Sequence, residues 1–214
     1  MTRMIFVRHG ESMGNINDLF YGHTDGELTE LGRRQALCAA KYLKDVHIDV
    51  AYASDLKRAF ETGEIIAKEH KLEPIPEKGL REIFAGEWEN KHFTTLAELY
   101  PEEYSVWMKD MWNAHPLGGE SIKQMTDRIR ETVWKIAEEN DGKTVLVAFH
   151  STPIRSLVCE WNDLPYEKIN EVGWVKNASV SIVNYDVEKH TTAPEVIGYA
   201  DFLGDLAKEV SSKV

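Results

Sequence analysis

The chain has 214 residues, 43% of them hydrophobic and 29% charged, with a formal net charge of −11. That length supports one large domain with its own core, and the composition excludes a disordered chain. The negative balance disfavours nucleic acid and anionic lipid as partners, and no apolar run is long enough to span a bilayer.

Met4 to Val7 is a short apolar run that stops at Arg8-His9-Gly10, the pattern of a buried strand feeding a functional turn. No signal-peptide pattern precedes it, and the isolated cysteines Cys38 and Cys159 suit a reducing compartment, so a cytoplasmic location is expected. Thr29 is placed to cap a helix running to about Lys44, with Ala36, Leu37, Ala40 and Leu43 expected on its apolar face. Ile48 to Ala53 reads as a second strand, ending at Ser54-Asp55. A helix from about Leu56 to Glu69 follows, with Phe60, Ile66 and Ala67 as expected core contacts. Glu73 to Pro76 is expected to be extended, because each proline disfavours helix at the residue before it.

From about Lys91 to Gly119 the pattern holds helical segments, with Pro101 at a helix start, but no strand. This stretch is expected to form a helical lid over the sheet. Ser121 opens an amphipathic helix whose Ile122, Met125, Ile129, Val133, Ile136 and Ala137 make one stripe, ended by Asp141-Gly142. Thr144 to Phe149 is another buried strand, and Thr152 is placed to cap the next helix with Pro153 at its first position. Val180 to Val183 and Val196 to Tyr199 complete the strand candidates, and a short helix is expected from Asp205. The alternation predicts an α/β fold, a three-layer α/β/α sandwich around a mostly parallel central sheet. One domain over residues 1–214, with the helical lid subdomain at about 91–119, is the expected organisation.

Three of these strands end in reactive residues: Arg8-His9, then Ser54 with Arg58 one turn into the next helix, then His150. In open parallel sheets ligands bind at the carboxyl ends of the strands, where helix N-termini also offer N–H groups to anions. Two histidines and two arginines would thus meet in one pocket. That set suits a phosphomonoester. The guanidinium groups of Arg8 and Arg58 neutralise the dianion and match its oxygens, and they disfavour protonation of His9, which can then attack phosphorus. Glu82, in Leu80-Arg81-Glu82, is the best candidate to protonate the departing alkoxide. Ser12, Asn15, Ser151 and the loop Tyr21-Gly22-His23 are candidates for binding substrate or phosphate. A metal site is disfavoured, since the histidines lack ligand spacing and the two arginines would repel a cation. A P-loop is absent.

These residues resemble the ordered motifs of the histidine phosphatase superfamily, which includes the cofactor-dependent phosphoglycerate mutases. Arg8-His9-Gly10-Glu11-Ser12 with Asn15 resembles the signature around its phosphorylated histidine. Leu28-Thr29-Glu30-Leu31-Gly32 with Gln35-Ala36 is similar to the next block, and the run from Ser54 to Thr62 is similar to the block supplying the second phosphate arginine. Leu80-Arg81-Glu82 with Gly86-Glu87-Trp88-Glu89, then Gly119-Glu120-Ser121, then His150 complete a likeness running from Phe6 to about Val183. It implies a phosphoglycerate mutase-like fold, a phosphohistidine on His9, Glu82 as general acid and base, and no metal or organic cofactor. Many members have Ser-His-Gly at the second histidine, where this chain has Phe149-His150-Ser151. No His-Asp pair is present at that position, so the acid phosphatase branch fits poorly.

The lid bears on what happens to the phosphoryl group. Between Glu89 and Glu120 the acidic residues are Glu89, Glu98, Glu102, Glu103, Asp110 and Glu120, against Lys91 and Lys109. A lid that holds a carboxylate and two phosphates needs more positive charge, and the paired arginines of the mutases are absent. Aromatics are plentiful instead: Phe84, Trp88, Phe93, Tyr100, Tyr104, Trp107 and Trp112. Some are expected in the core and others against a bulky or weakly charged leaving group. The expected function is hydrolysis of a small phosphorylated metabolite. The alternatives are a phosphoglycerate mutase and a non-catalytic phospho-ligand binding module. Whether the chain acts as monomer or homodimer is not readable from its sequence.

Overall fold

The computed structural model describes residues 1–207. Its centre is a six-stranded sheet of β1 (Thr2–Arg8), β2 (Val50–Ala53), β3 (Ile75–Pro76), β4 (Thr144–Phe149), β5 (Val180–Asp186) and β6 (Thr191–Tyr199), in the order β3-β2-β4-β1-β5-β6. β3, β2, β4 and β1 run parallel, whereas β5 pairs antiparallel with both β1 and β6. β5 and β6 are longer than the sequence pattern suggests. Only four residues separate them, too few for a parallel crossover, so they form a hairpin.

The pleat divides the core in two. Met4 and Phe6 of β1 and Val145, Val147 and Phe149 of β4 face one side, with the stripes of α6 (Ile122–Glu139) and α7 (Ser151–Trp161). Ile5, Val7 and Leu146 face the other, against α2 (Glu30–Leu43) and α3 (Lys57–Glu69). This is the expected three-layer sandwich. The short helix α1 (Met13–Ile16) leads from β1, and α4 (Phe93–Leu99) and α5 (Pro101–Lys109) lie in the stretch anticipated as a lid.

Local signals set several helix starts. The Thr29 hydroxyl accepts from Gly32 N–H at the start of α2, and Ser121 and Gln124 form a reciprocal capping box on α6. Pro101 occupies the first turn of α5. The six stripe residues expected on α6 are all buried.

Four expectations need correction. Leu37 is 56% exposed. It lies one helical step of about 100° beyond Ala36, off the face shared by Ala36, Ala40 and Leu43. Phe60 is only half-buried and borders a surface groove with Leu72 and Pro74. Thr152 does not cap α7: His150 is the N-cap and Pro153 is the third helical residue. Thr152 instead gives its N–H to a Glu82 carboxylate oxygen, and Pro153 is tolerated because a first-turn N–H has no intrahelical acceptor. The helix expected from Asp205 falls mostly outside the described residues, and Asp201–Leu206 is a 3-10 segment. Among the described residues no helix is long and apolar enough to cross a membrane.

Candidate active site

The carboxyl ends of β1, β2 and β4 converge, and the residues expected there are buried together. Arg8, His9, Ser54, Arg58, Glu82 and His150 are each no more than 5% exposed. Arg8, His9, Ser12, Asn15, Tyr21, Arg58, Glu82 and Ser151 line one cavity, together with Gly14 and Leu19. Its water-accessible interior is only ≈ 20 Å³, far below the roughly 300–1,000 Å³ of drug-sized sites, so it suits a small headgroup rather than a whole large ligand.

His9 is fixed at both ends of its residue. Its N–H donates to Phe149 O at 2.9 Å, and its carbonyl accepts from Ala178 N–H (3.2 Å) and Asn177 Nδ2 (3.1 Å). Ala178 adopts φ 54°, a left-handed conformation that aims its N–H at the carbonyls of Arg8 and His9. His9 Nδ1 lies 2.7 Å from Gly10 O. A carbonyl can only accept, so Nδ1 carries the proton and Nε2 keeps the lone pair. Burial, reinforced by Arg58 and Arg8, holds this imidazole well below its usual value despite the bond to Gly10. Behind it the backbone is close-packed. Gly10 N–H reaches the Thr62 hydroxyl (3.1 Å), and a Cβ on Gly10 would collide with the carbonyl of Gly32.

The two arginines are held by carbonyls. Arg8 Nη1 donates to Val175 O at 2.6 Å, and its Nε has no partner. Burial, opposed by Glu82 and reinforced by Arg58, brings Arg8 down to about 10, still charged at neutral pH. Arg58 donates to the carbonyls of Thr24 (2.9 Å), Tyr21 (3.2 Å) and Gly22 (2.8 Å). Burial is again the main influence on it and lowers it.

His150 stands with its ring centroid 5.3 Å from that of His9. Its Nε2 lies 2.8 Å from Ser54 Oγ, and its Nδ1 has no partner. Burial, then Arg58 and His9, push this ring well below its usual value too. Glu82 turns one oxygen to its neighbour's N–H on Ile83 (2.9 Å) and the other to Thr152 N–H (3.2 Å). Burial raises its carboxyl above the ordinary range, although Ile83, Arg58 and Thr152 pull the other way. The cavity thus combines a neutral imidazole with a free lone pair, two cations, and a carboxyl shifted toward its protonated form. Arg8 Nε, a buried N–H lining the cavity, lacks an acceptor, which a tetrahedral oxyanion can supply. His150 lies beside His9 but is not part of the cavity lining, and its partnerless Nδ1 can add a second donor in the tautomer that accepts from Ser54 at Nε2.

The neighbouring candidates divide. Asn15 Oδ1 accepts from the N–H and hydroxyl of Ser12, both at 3.0 Å, and from Asn177 Nδ2 at 3.3 Å. This leaves the Asn15 NH₂ as the donor available to the cavity. Ser12, Ser151 and Tyr21 line the cavity as expected, but Gly22 and His23 do not. Gly22 contributes its carbonyl to Arg58, and a Cβ there would meet Ala85 N and the Glu89 carboxylate. His23 donates from Nε2 to Glu82 O at 3.0 Å, behind the carboxyl. Asn177 and Thr62 serve the site without having been singled out. Thr62 ends a quoted motif, whereas Asn177 lies in an irregular loop with no local signal.

The lid aromatics are mostly core. Phe20, Trp88, Phe93 and Trp107 form one interlocked cluster, with Tyr100 and Tyr104 against Trp88, and Trp112 stacks on Tyr166. Phe84 alone of the seven is exposed, with its ring 5.1 Å from that of His23. Among the described residues no group of three or more His, Cys, Asp or Glu is placed to hold a metal ion.

Known proteins resemble this chain in sequence and fold. Phosphoserine phosphatase 1 of Hydrogenobacter thermophilus is 31% identical over 190 residues, covering 89% of this chain and 90% of the relative. The 2,3-bisphosphoglycerate-dependent phosphoglycerate mutase 2 of Gloeobacter violaceus is 33% identical over 177 residues, covering 80% and 81%. The solved structure of Bacillus stearothermophilus YhfR superposes with a TM-score of 0.90 at 28% identity, covering 95% of this chain and all of that one. Residues 4–193 match the family described as the histidine phosphatase superfamily, branch 1. With its fold, motif order and sheet-edge cavity in agreement, the chain is an enzyme of the histidine phosphatase superfamily.

Proposed function

We propose that this protein is a phosphomonoesterase acting on a small phosphorylated metabolite through a phosphohistidine on His9. The observation that carries the reading is the tautomer of His9. Its proton is committed to Gly10, so the Nε2 lone pair is free in a buried, cationic cavity. Nε2 attacks phosphorus as the P–O ester bond breaks, and Glu82 gives its proton to the departing alkoxide. Water then attacks the phosphohistidine and returns a proton to Glu82. Arg8, Arg58 and His150 hold the phosphoryl oxygens through both steps, with Asn15, Ser12 and the N-terminus of α7 at Ser151 around them. The raised carboxyl of Glu82 supports its role as donor. The phosphoserine phosphatase relative supports hydrolysis as the outcome. In this reading the chain is one domain, with residues at about 91–119 as a helical lid. The free Cys38 and Cys159 support a reducing, cytoplasmic setting.

The mutase relative favours a second reading, in which His9 returns its phosphoryl group to a sugar acid. Phosphate release from a panel of phosphomonoesters, compared with 2,3-bisphosphoglycerate-dependent interconversion of phosphoglycerates, separates the two. We expect release to dominate and to vanish in His9→Ala, with an acid-labile phosphoenzyme trapped only in the wild type. Faster interconversion would establish the mutase. Persistence of the phosphoenzyme in His9→Ala would remove His9 as nucleophile, and ligand binding without any turnover would leave a binding module.

A further inference from the structure

Arg128 lies on α6, outside the cavity, and all of its donors are in use. A guanidinium has five N–H groups. Here Nη1 donates to Gly79 O (2.8 Å) and Arg81 O (2.9 Å), and Nη2 to Glu82 O (3.1 Å) and Glu120 Oε2 (2.7 Å). Nε takes the last acceptor, Glu120 Oε1, at 2.8 Å. Arg128 therefore has no donor left for a substrate. Three of its five bonds grip the carbonyls of the turn that ends in Glu82. Its carboxylate partner grips the chain on the other side: Glu120 Oε2 accepts from Phe84 N–H at 3.1 Å, and Glu120 N–H donates to Phe84 O at 2.8 Å. His23 adds a second donor to Glu82 O. Residues 81, 82 and 84 are thereby pinned on both flanks of the one side chain that turns into the cavity.

We propose that Arg128, braced by Glu120, is a positioning residue that sets where the carboxyl of Glu82 meets the leaving group. The inference rests on the assignment of Glu82 as proton donor. A general acid must sit within hydrogen-bond reach of the atom it protonates, and a displacement of about 1 Å costs on the order of 100-fold. Few side chains can do this work. Lysine carries one point charge on a flexible stem and cannot span three carbonyls and a carboxylate in one plane. The loss should therefore fall on the step that needs the proton rather than on phosphate binding.

The test compares two leaving groups in the full-length protein. A simple alkyl phosphate needs a proton to depart, whereas p-nitrophenyl phosphate leaves as a stable phenolate. Rates of phosphoenzyme formation are measured by rapid quench for wild type, Arg128→Lys, Glu120→Gln and Glu82→Gln. We expect Arg128→Lys to slow the alkyl substrate about 10- to 100-fold and the aryl substrate by less than about 3-fold, with inorganic phosphate binding unchanged. Glu120→Gln should show the same preference to a smaller degree, and it carries the test alone if Arg128→Lys does not fold. Equal losses on both substrates in these variants would overturn the proposal and leave Arg128 as packing. Glu82→Gln separates the two levels. If it shows no preference between leaving groups, the assignment of Glu82 fails and this inference falls with it. If Glu82→Gln shows the preference and the clamp variants do not, only the inference falls.

Discussion

Glu89 offers the sharpest test of how Arg58 is held. Its Oε1 accepts from His23 N–H (2.7 Å) and Ala85 N–H (3.0 Å). Its Oε2 accepts from Thr24 N–H (2.8 Å) and from the Thr24 hydroxyl. The loop so fixed supplies the three carbonyls that hold Arg58. Glu89→Gln keeps the shape but turns an NH₂ toward one pair of donors. The less costly orientation places it at Thr24, whose hydroxyl can rotate to accept, leaving the Thr24 N–H without a partner. Hydrogen bonds to a charged group contribute about 1.5–3 kcal/mol each, and half-burial puts these at the lower end. The substitution should thus destabilise the loop by about 1.5–3 kcal/mol. If Arg58 moves with it, the affinity for inorganic phosphate should weaken about tenfold for each 1.4 kcal/mol that reaches the site. Urea denaturation and calorimetric phosphate titration read the two quantities separately. An affinity within about twofold of wild type, alongside a stability loss of the expected size, would refute the coupling of Glu89 to Arg58.

Two further substitutions probe the packing behind the histidines. Thr62→Val keeps the volume but leaves the Gly10 N–H buried without its acceptor, so it should destabilise by about 1–3 kcal/mol in urea denaturation; an unchanged midpoint would show that Gly10 has another partner. His150 is held well below its usual value in the native state, whereas the unfolded chain takes up a proton near pH 6.5. The unfolded state therefore binds more protons as pH falls, so this contribution is full above about pH 6.5 and drains away on acidification. His150→Gln should lose less stability than wild type between about pH 7 and pH 5, by up to about 2 kcal/mol. Parallel losses in both proteins would remove His150 as the acid-sensitive group.

What the sequence made legible was local. The stripe of α6, the hydroxyl of Thr29, and the apolar runs that stop at Arg8, Ser54 and His150 are all read within a few residues, and the structure keeps each of them. Leu37 marks the limit of that reading, because its apolar character says nothing of which side of α2 it takes. The supports of the site were not legible. Glu89 reaches back 66 residues to His23, and Arg128 reaches 46 to Glu82. Asn177 meets His9 across 168. The lid aromatics carried an ambiguity of another kind: an exposed pocket and a buried cluster call for the same rings. Phe20 resolves it, since it enters from the segment after α1 and fills the centre of the Trp88, Phe93 and Trp107 group.

The partners chosen by each arginine explain why a strand-end position mattered more than residue type. Arg33, Arg81, Arg128 and Arg130 each pair with a carboxylate, respectively Glu61, Asp55, Glu120 and Glu160. Such pairs neutralise their charge locally and brace the scaffold. Arg8 and Arg58 are held by carbonyls, which orient a guanidinium without neutralising it. Their charge stays available to a dianion, and it adds to the burial that keeps His9 unprotonated. Arg155 is also held by carbonyls, those of Val172 and Ile169, but its guanidinium lies 4.1 Å over the ring of Trp174 and outside the cavity lining. Carbonyl anchoring therefore keeps a cation available, and the end of a central strand decides whether it faces a substrate. Arg8 meets both conditions directly. Arg58 meets the second one turn after β2, which is why its place depends on a loop that Glu89 must hold.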